Sequence, residues 1–312
     1  MQLINGVPGV VFRDNFIYID RFTSLFTLLT ADRIMSRHQL RAYLTLARPI
    51  NVLITMGAVG LGGWMAGLRS FDGLLAGAML AAGLVCAGAN AHNDYIDRNL
   101  DKLAHPARPL PAGILSPTAA IIFWLVACAS AFAIGQWLTA SMAALVSAAM
   151  ILLWWYNRYG KSIPLLGNVV VGLCGGLAVI LGAAAGGDAR IGLIPAAFAL
   201  VIHVARELVK DTEDLSGDRI VGIRTFPAVF GIRATQILTA SLLLLVTVGL
   251  AAPWMWAGYS TTYLVTAAVF AGIPCLYVGV TFLRNAEQNQ AHRLSQILKA
   301  AMVAGMLAIA LL

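Results

Sequence analysis

Two stretches of the chain carry one acidic spacing, Asp-x-x-Asp-x-x-x-Asp. The first holds Asp94, Asp97 and Asp101 within HNDYIDRNLD, and the second holds Asp211, Asp214 and Asp218 within KDTEDLSGD. Only 14 of the 312 residues are acidic, so these triads take six of a scarce type, in apolar surroundings. Carboxylates beside a membrane interior are costly, and an organised set of them marks a functional site. On a helix, offsets of three and seven place the carboxylates within an arc of about 60°, spread over about 10 Å. Two such faces set opposite each other could hold divalent cations around a diphosphate. Magnesium takes oxygen ligands and binds through one or two carboxylates plus substrate phosphates, which balances charges that would otherwise repel. Cations placed there stabilise a departing pyrophosphate. Neighbouring bases can bind phosphate oxygens directly: Arg98, Lys102 and Arg108 in one loop, Lys210, Arg219 and Arg224 in the other. A single acidic loop would read as solvated carboxylates paired with nearby bases. Two loops of identical spacing at the ends of apolar segments do not.

The elements that must position these residues are membrane helices. The chain is 60% hydrophobic and 11% charged, with mean hydropathy +0.82, which describes an integral membrane protein and excludes a soluble core. Nine apolar segments near the length of a bilayer span run over about 49–68, 73–92, 117–136, 139–156, 163–187, 190–209, 234–252, 262–283 and 294–312. The expected fold is therefore all-α, with nine transmembrane helices over residues 46–312. Residues 1–45 precede that domain. Their stretch FIYIDRFTSLFTLLTADRI is amphipathic and suits the membrane surface, while a disordered leader over 1–15 suits the sequence equally. Glycine pairs Gly63/Gly67, Gly172/Gly176 and Gly182/Gly186 have the spacing that lets membrane helices approach closely.

Charge orients the spans. Of 21 Lys and Arg, Arg69 and Arg190 lie in the loops after odd-numbered spans, Lys299 lies in the last span, and the remaining 18 lie on the other side. This bias puts the N-terminus and both acidic loops in the cytoplasm, at the cell membrane. The net charge of +7 is thereby a topology signal and gives no reason to invoke nucleic acid. The triads follow spans 2 and 6 and are offset by 117 residues at each position, which suggests two related halves. Cys86, Cys128, Cys174 and Cys275 are isolated in apolar segments, so neither a disulfide framework nor a zinc site is expected. Glycine-rich phosphate loops and haem motifs are missing too.

NDYIDRNLD followed by HPARPLPAG resembles the first signature of the UbiA superfamily of intramembrane prenyltransferases, and KDTEDLSGDRIVGIRTFPAVFG resembles its second. ARPIN (47–51), YNRYGK (156–161) and LLGN (165–168) resemble three further family stretches, so the likeness covers about residues 46–312. Asn157, where Ser is common, and His105, where a base is common, depart from the pattern. The resemblance implies a nine-helix bundle around a central cavity, under a cytoplasmic cap formed by the loops after spans 2 and 6. It also implies Mg²⁺-dependent transfer of a polyprenyl group from its diphosphate to a lipophilic acceptor within the lipid bilayer. Carried over by position, Asn93, Asp94, Asp97, Asp101, Asp211, Asp214 and Asp218 would hold the metal and diphosphate, the six aspartates being catalytic. Asn90, one turn before Asp94, could join them. Lys102, Arg108, Tyr156, Lys161 and Lys210 would contact diphosphate or close the cap, and Arg48 and Asn51 would face the acceptor.

Breaking the allylic C–O bond leaves a cation that water would capture, so apolar walls are needed. Trp64, Phe123, Trp124, Trp154, Trp155 and Phe198 are candidates. His203 reads as a hydrogen-bonded interior histidine more readily than as a proton acceptor, and Glu207 and Glu213 as partners of Arg206 and Lys210. RELVKDTEDLSGDRIVGIRT most resembles family members that prenylate geranylgeranylglyceryl phosphate. Members that prenylate quinone precursors or chlorophyll precursors remain close. A transporter using membrane acids would place ionisable residues at mid-span, whereas these acids cluster at one surface. A CDP-alcohol phosphotransferase would carry one contiguous Asp-Gly-x-x-Ala-Arg motif, which is absent. A non-catalytic scaffold leaves both triads unexplained.

Overall fold

Helices dominate because a backbone in hydrocarbon must satisfy its own hydrogen bonds. The computed structural model describes residues 36–311 apart from 71 and 286. In chain order the helices are α1 (Arg37–Ala47), α2 (Pro49–Met65), α3 (Gly73–Ala104), α4 (Pro117–Leu138), α5 (Ala140–Arg158) and α6 (Leu166–Ala185). They continue as α7 (Leu193–Glu213), α8 (Leu215–Val221), α9 (Phe226–Gly249), α10 (Ala251–Trp256), α11 (Thr261–Ala267), α12 (Ile273–Arg284) and α13 (Gln288–Ile309). Helix starts are set by side-chain caps. Asp72 accepts from the Leu75 amide at 2.8 Å to open α3, and Ser116 accepts from the Ala119 amide at 3.1 Å to open α4.

Among the described residues seven stretches are long and apolar enough to cross a membrane, and the pair α1 and α2, bent by 49°, makes an eighth if it is one broken span. Nine were expected. The ninth, α13, carries Arg293 and Lys299 and stands outside that set. The break between α1 and α2 falls at Arg48, whose backbone is left-handed (φ 54°) just before Pro49. A non-glycine residue held there costs about 1–3 kcal/mol, and such strain concentrates at functional sites. The amphipathic stretch at 16–34 lies outside the described residues.

The chain divides into residues 1–40 and a body from Arg41 onward. Four hydrophobic clusters organise the described part of that body, two of them large. One joins α2, α3, α4, α5 and α6 around Val59, Ala78, Met142 and Val179. The other joins α7, α9, α12 and α13 around Val209, Leu243, Val278 and Leu298. The 117-residue offset between the triads matches this division, with the first span added to the first half. Glycines let the helices meet. A Cβ at Gly182 of α6 would overlap the Val59 carbonyl of α2, and one at Gly62 would overlap the Val179 carbonyl in return. Gly172 and Gly176 press on Leu200 and Ala196 of α7. Gly67 does something else: its φ of 91° serves the turn after α2.

Candidate active site

Asn93, Asp94, Asp97 and Asp101 all lie near the C-terminal end of α3, which stays helical well past its apolar part. Each carboxylate of this triad meets a base from elsewhere in the chain. The Arg48 Nη2 donates to Asp94 at 2.5 Å, and the Lys161 Nζ donates to Asp97 at 2.6 Å. The Arg108 Nη1 lies 2.7 Å from both oxygens of Asp101 and 4.0 Å from Asp94. Asn93 donates to Asp97 at 3.1 Å and to Asn157 at 3.3 Å. Asp94, Asp97 and Asp101 are buried, and paired charges of this kind lose heavily if one partner is removed.

The second triad straddles the end of α7. Asp211 accepts from the Asn168 Nδ2 at 2.8 Å, and Lys210 lies 4.0 Å from Asp214. Asp214 sits between α7 and α8, and Asp218 lies on α8. Burial pushes the Asp218 carboxyl up to about 6, with Asp214 adding to the rise and Lys161 and Lys210 opposing it. A carboxyl held that high favours a nearby cation.

The triads face one polar mouth. Asn93, Asp97, Asp101, Arg108, Lys161, Lys210, Asp214 and Asp218 line a cavity of about 1020 Å³. Beneath it lies an apolar cavity of about 370 Å³ lined by residues from both cores. Arg48, Asn93, Lys161 and Lys210 line both spaces, so they stand at the neck between them. Tyr156 lines the inner cavity, where Asp97, Asp211 and Asp218 from both triads act on it. Asn51 and Asn90 line it too. Asn51 accepts from the Lys299 Nζ at 2.7 Å, and Asn90 donates to the Ala47 carbonyl at 2.9 Å, tying α3 to the break beside Arg48.

Not every expected residue gathers there. Lys102 is exposed and lines neither cavity, because it points off the face that carries the triad. Asp94 and Asp211 lie beside the mouth without lining it. Among the proposed aromatic walls only Phe198 lines the inner cavity. Trp64 and Trp154 are exposed, Trp124 stacks on His92 at 4.2 Å, Phe123 packs against Tyr43 at 5.9 Å, and the Trp155 ring covers Gly160. Most of the wall is aliphatic, from residues such as Leu145, Leu153, Ile202 and Met302, with Tyr156 and Tyr263 as its other aromatic members. The His203 Nδ1 bonds the Ala199 carbonyl one turn back at 2.6 Å, as an interior histidine should. Arg206 pairs with Glu207 at 2.7 Å, whereas Glu213 pairs with His292 at 2.8 Å rather than with Lys210. Sequence reading assigned no role to Asn168 or Lys299, and gave Arg206 only that of a partner for Glu207; the isolated charge of Lys299 in an apolar span was the available signal.

The profile of the UbiA prenyltransferase family matches residues 52–303. The chain belongs to the UbiA prenyltransferase family. It is therefore a prenyltransferase and an integral membrane protein. Two UbiA relatives are named digeranylgeranylglyceryl phosphate synthase. That of Methanopyrus kandleri is 32% identical over 86% of this chain and 98% of its own, and that of Natronomonas pharaonis is 33% identical over 73% and 82%. A solved structure described as concerning digeranylgeranylglyceryl phosphate synthase in membranes superposes with TM-score 0.71 at 23% identity, over 87% of this chain and 97% of the other. A UbiA homologue from Archaeoglobus fulgidus, bound to GPP and Mg²⁺, superposes with TM-score 0.60 at 17% identity, over 86% and 99%.

Proposed function

We propose that the protein transfers a geranylgeranyl group from its diphosphate to geranylgeranylglyceryl phosphate, forming an ether lipid. One observation carries the reading: two aspartates from each triad, Asp97 and Asp101 with Asp214 and Asp218, line a single polar mouth, over an apolar cavity reached through a neck of cations. The names of the relatives at 32–33% identity support the acceptor.

The donor diphosphate belongs in the mouth, with its allylic carbon at the neck to the inner cavity. Asp94, Asp97, Asp101, Asp211, Asp214 and Asp218, with Asn93, are the residues to hold Mg²⁺. Their oxygens are the hard donors that this ion takes. Among the described residues no three His, Cys, Asp or Glu side chains converge closely enough to hold a metal unaided. Diphosphate oxygens would complete the coordination, in keeping with a metal that binds together with its substrate. When bound, Mg²⁺ supplies positive charge to the leaving pyrophosphate. Arg108, Lys161 and Lys210 contact phosphate oxygens. The mostly apolar wall excludes water from the allylic cation while the acceptor hydroxyl oxygen bonds to it, the hydroxyl proton passing to the departing pyrophosphate. The bias of basic residues puts the mouth and its cap on the cytoplasmic side, with α13 as a ninth span.

The test is turnover of purified protein in lipid with geranylgeranyl diphosphate, Mg²⁺ and geranylgeranylglyceryl phosphate. Wild type should form the double-chain product. Asp97→Ala and Asp214→Ala should each lose at least about a thousandfold in kcat while still folding, with Asp97→Ala unfolding at a lower temperature because Lys161 loses its partner. Near-normal turnover in both variants would sink the assignment of the triads.

A further inference from the structure

The inner cavity holds positive charge that its acids leave over. Arg48 is engaged by Asp94 and Lys161 by Asp97. Arg206 gives one Nη to Glu207, but its Nε–H is buried without a hydrogen-bond partner. Lys299 has a neutral partner only, the Asn51 Oδ1, and among the described residues no carboxylate lies within ion-pair distance of it. The charged side chains that act on Lys299 are Arg206 and Arg48, both cations. All of them line one cavity whose wall is otherwise mostly apolar. An ammonium left there without counter-charge, near two guanidiniums, is costly, and a buried polar donor without an acceptor adds to that cost. Such a cluster is stabilised when an anion joins it.

We propose that Lys299 of α13 and Arg206 of α7 receive the phosphate monoester of the acceptor lipid and so determine which acceptor is taken. This rests on the prenyl-transfer reading above and names the residues that recognise its second substrate. The donor diphosphate has its own bases, Arg108, Lys161 and Lys210, in the mouth. Lys299 and Arg206 line only the inner space, which leaves them for a second anion across the neck. Their chemistry is complementary. Lys299 offers a point charge oriented by Asn51. Arg206 offers its free Nε–H, with the guanidinium held in place by Glu207. A neutral headgroup would leave both unpaired, so the acceptor without phosphate is rejected by the same donors that welcome the phosphate.

The experiment compares two acceptors that differ only in that group, geranylgeranylglyceryl phosphate and its dephosphorylated alcohol, with saturating geranylgeranyl diphosphate and the full-length protein in zwitterionic lipid. Wild type should prefer the phosphate by at least about a hundredfold in kcat/KM. Lys299→Met should lose roughly ten- to hundredfold for the phosphate acceptor and little for the alcohol, so that the preference collapses. Arg206→Lys keeps a charge for Glu207 but loses the fork, and should lower the preference as well. Lys299→Arg should restore most of it. The affinity for an inert prenyl diphosphate analogue, unchanged in every variant, shows that each has folded. Equal discrimination by wild type and Lys299→Met would overturn the assignment. So would displacement of the lipid by inorganic phosphate at matching concentration, which would mark a site for the free ion.

If wild type makes no product with either acceptor, direct binding of the phosphate lipid separates the two failures. Binding lost in Lys299→Met keeps the receptor and discards the reaction. Binding equal in both proteins discards the receptor.

Discussion

Every carboxylate of the first triad is met by a base: Asp94 by Arg48 and Asp97 by Lys161, both distant in sequence, and Asp101 by Arg108 of the following loop. The triads themselves were legible because acids are rare in this chain and their spacing repeats. Their partners were not, because nothing in the spacing of residues 48 and 94, or of 97 and 161, says that they touch. Two bases that look equivalent in sequence part company here. Arg108 closes on Asp101 at 2.7 Å, while Lys102 is exposed and lines neither cavity. Arg108→Gln should therefore raise the KM for the prenyl diphosphate roughly ten- to hundredfold, as loss of a charge-assisted contact does. Lys102→Gln should leave both kcat and KM within about twofold of wild type. Steady-state kinetics in donor concentration checks both, and a large defect in Lys102→Gln would mean that the cap closes differently around substrate. The aromatic walls were misread for a simple reason. Any Trp or Phe in an apolar span suits lipid, a helix interface or a cavity equally, and only packing separates these places.

At the scale of the element, periodicity and hydropathy located the spans but missed how two of them behave. The apolar run at 73–92 ends long before its helix does, because Asp and Asn on one face of α3 are compatible with helix while lowering hydropathy. The first span is broken at Arg48 and Pro49, a feature that ARPIN contains but that apolar length alone does not reveal. Glycine spacing was the better guide, since four of the six paired glycines lie within helices at close contacts, while Gly67 and Gly186 lie in the turns after α2 and α6. Gly182→Val tests that contact. Its Cβ would strike the Val59 backbone, which cannot move aside as a flexible side chain would. The variant should be destabilised by about 1–3 kcal/mol or more, seen as a lower unfolding temperature in detergent. Unfolding unchanged from wild type would mean that α2 and α6 do not cross so closely.

For the whole molecule, the 117-residue offset between triads corresponds to two hydrophobic cores that each deliver one acidic face to a common mouth. The sequence offset does not say that α2 joins the first core, because apolar residues alone do not name their partners. The distribution of basic residues further predicts opposite sides for the two ends of the bundle. Single cysteines placed at Arg190 and at Lys102, in a background lacking the four native cysteines, should react with a membrane-impermeant thiol reagent from opposite faces, the Lys102 position from the cytoplasmic one. Labelling of both from the same face would reverse that topology. The central claim is the chemistry, and an acceptor panel tests it most directly. Purified protein in lipid receives geranylgeranyl diphosphate and Mg²⁺ with, in parallel, geranylgeranylglyceryl phosphate, 4-hydroxybenzoate, dihydroxynaphthoate or a chlorophyllide, and products are weighed by mass spectrometry. The account predicts a geranylgeranylated product with geranylgeranylglyceryl phosphate alone, abolished by EDTA; product with an aromatic acceptor instead, or transfer that persists in EDTA, would contradict it.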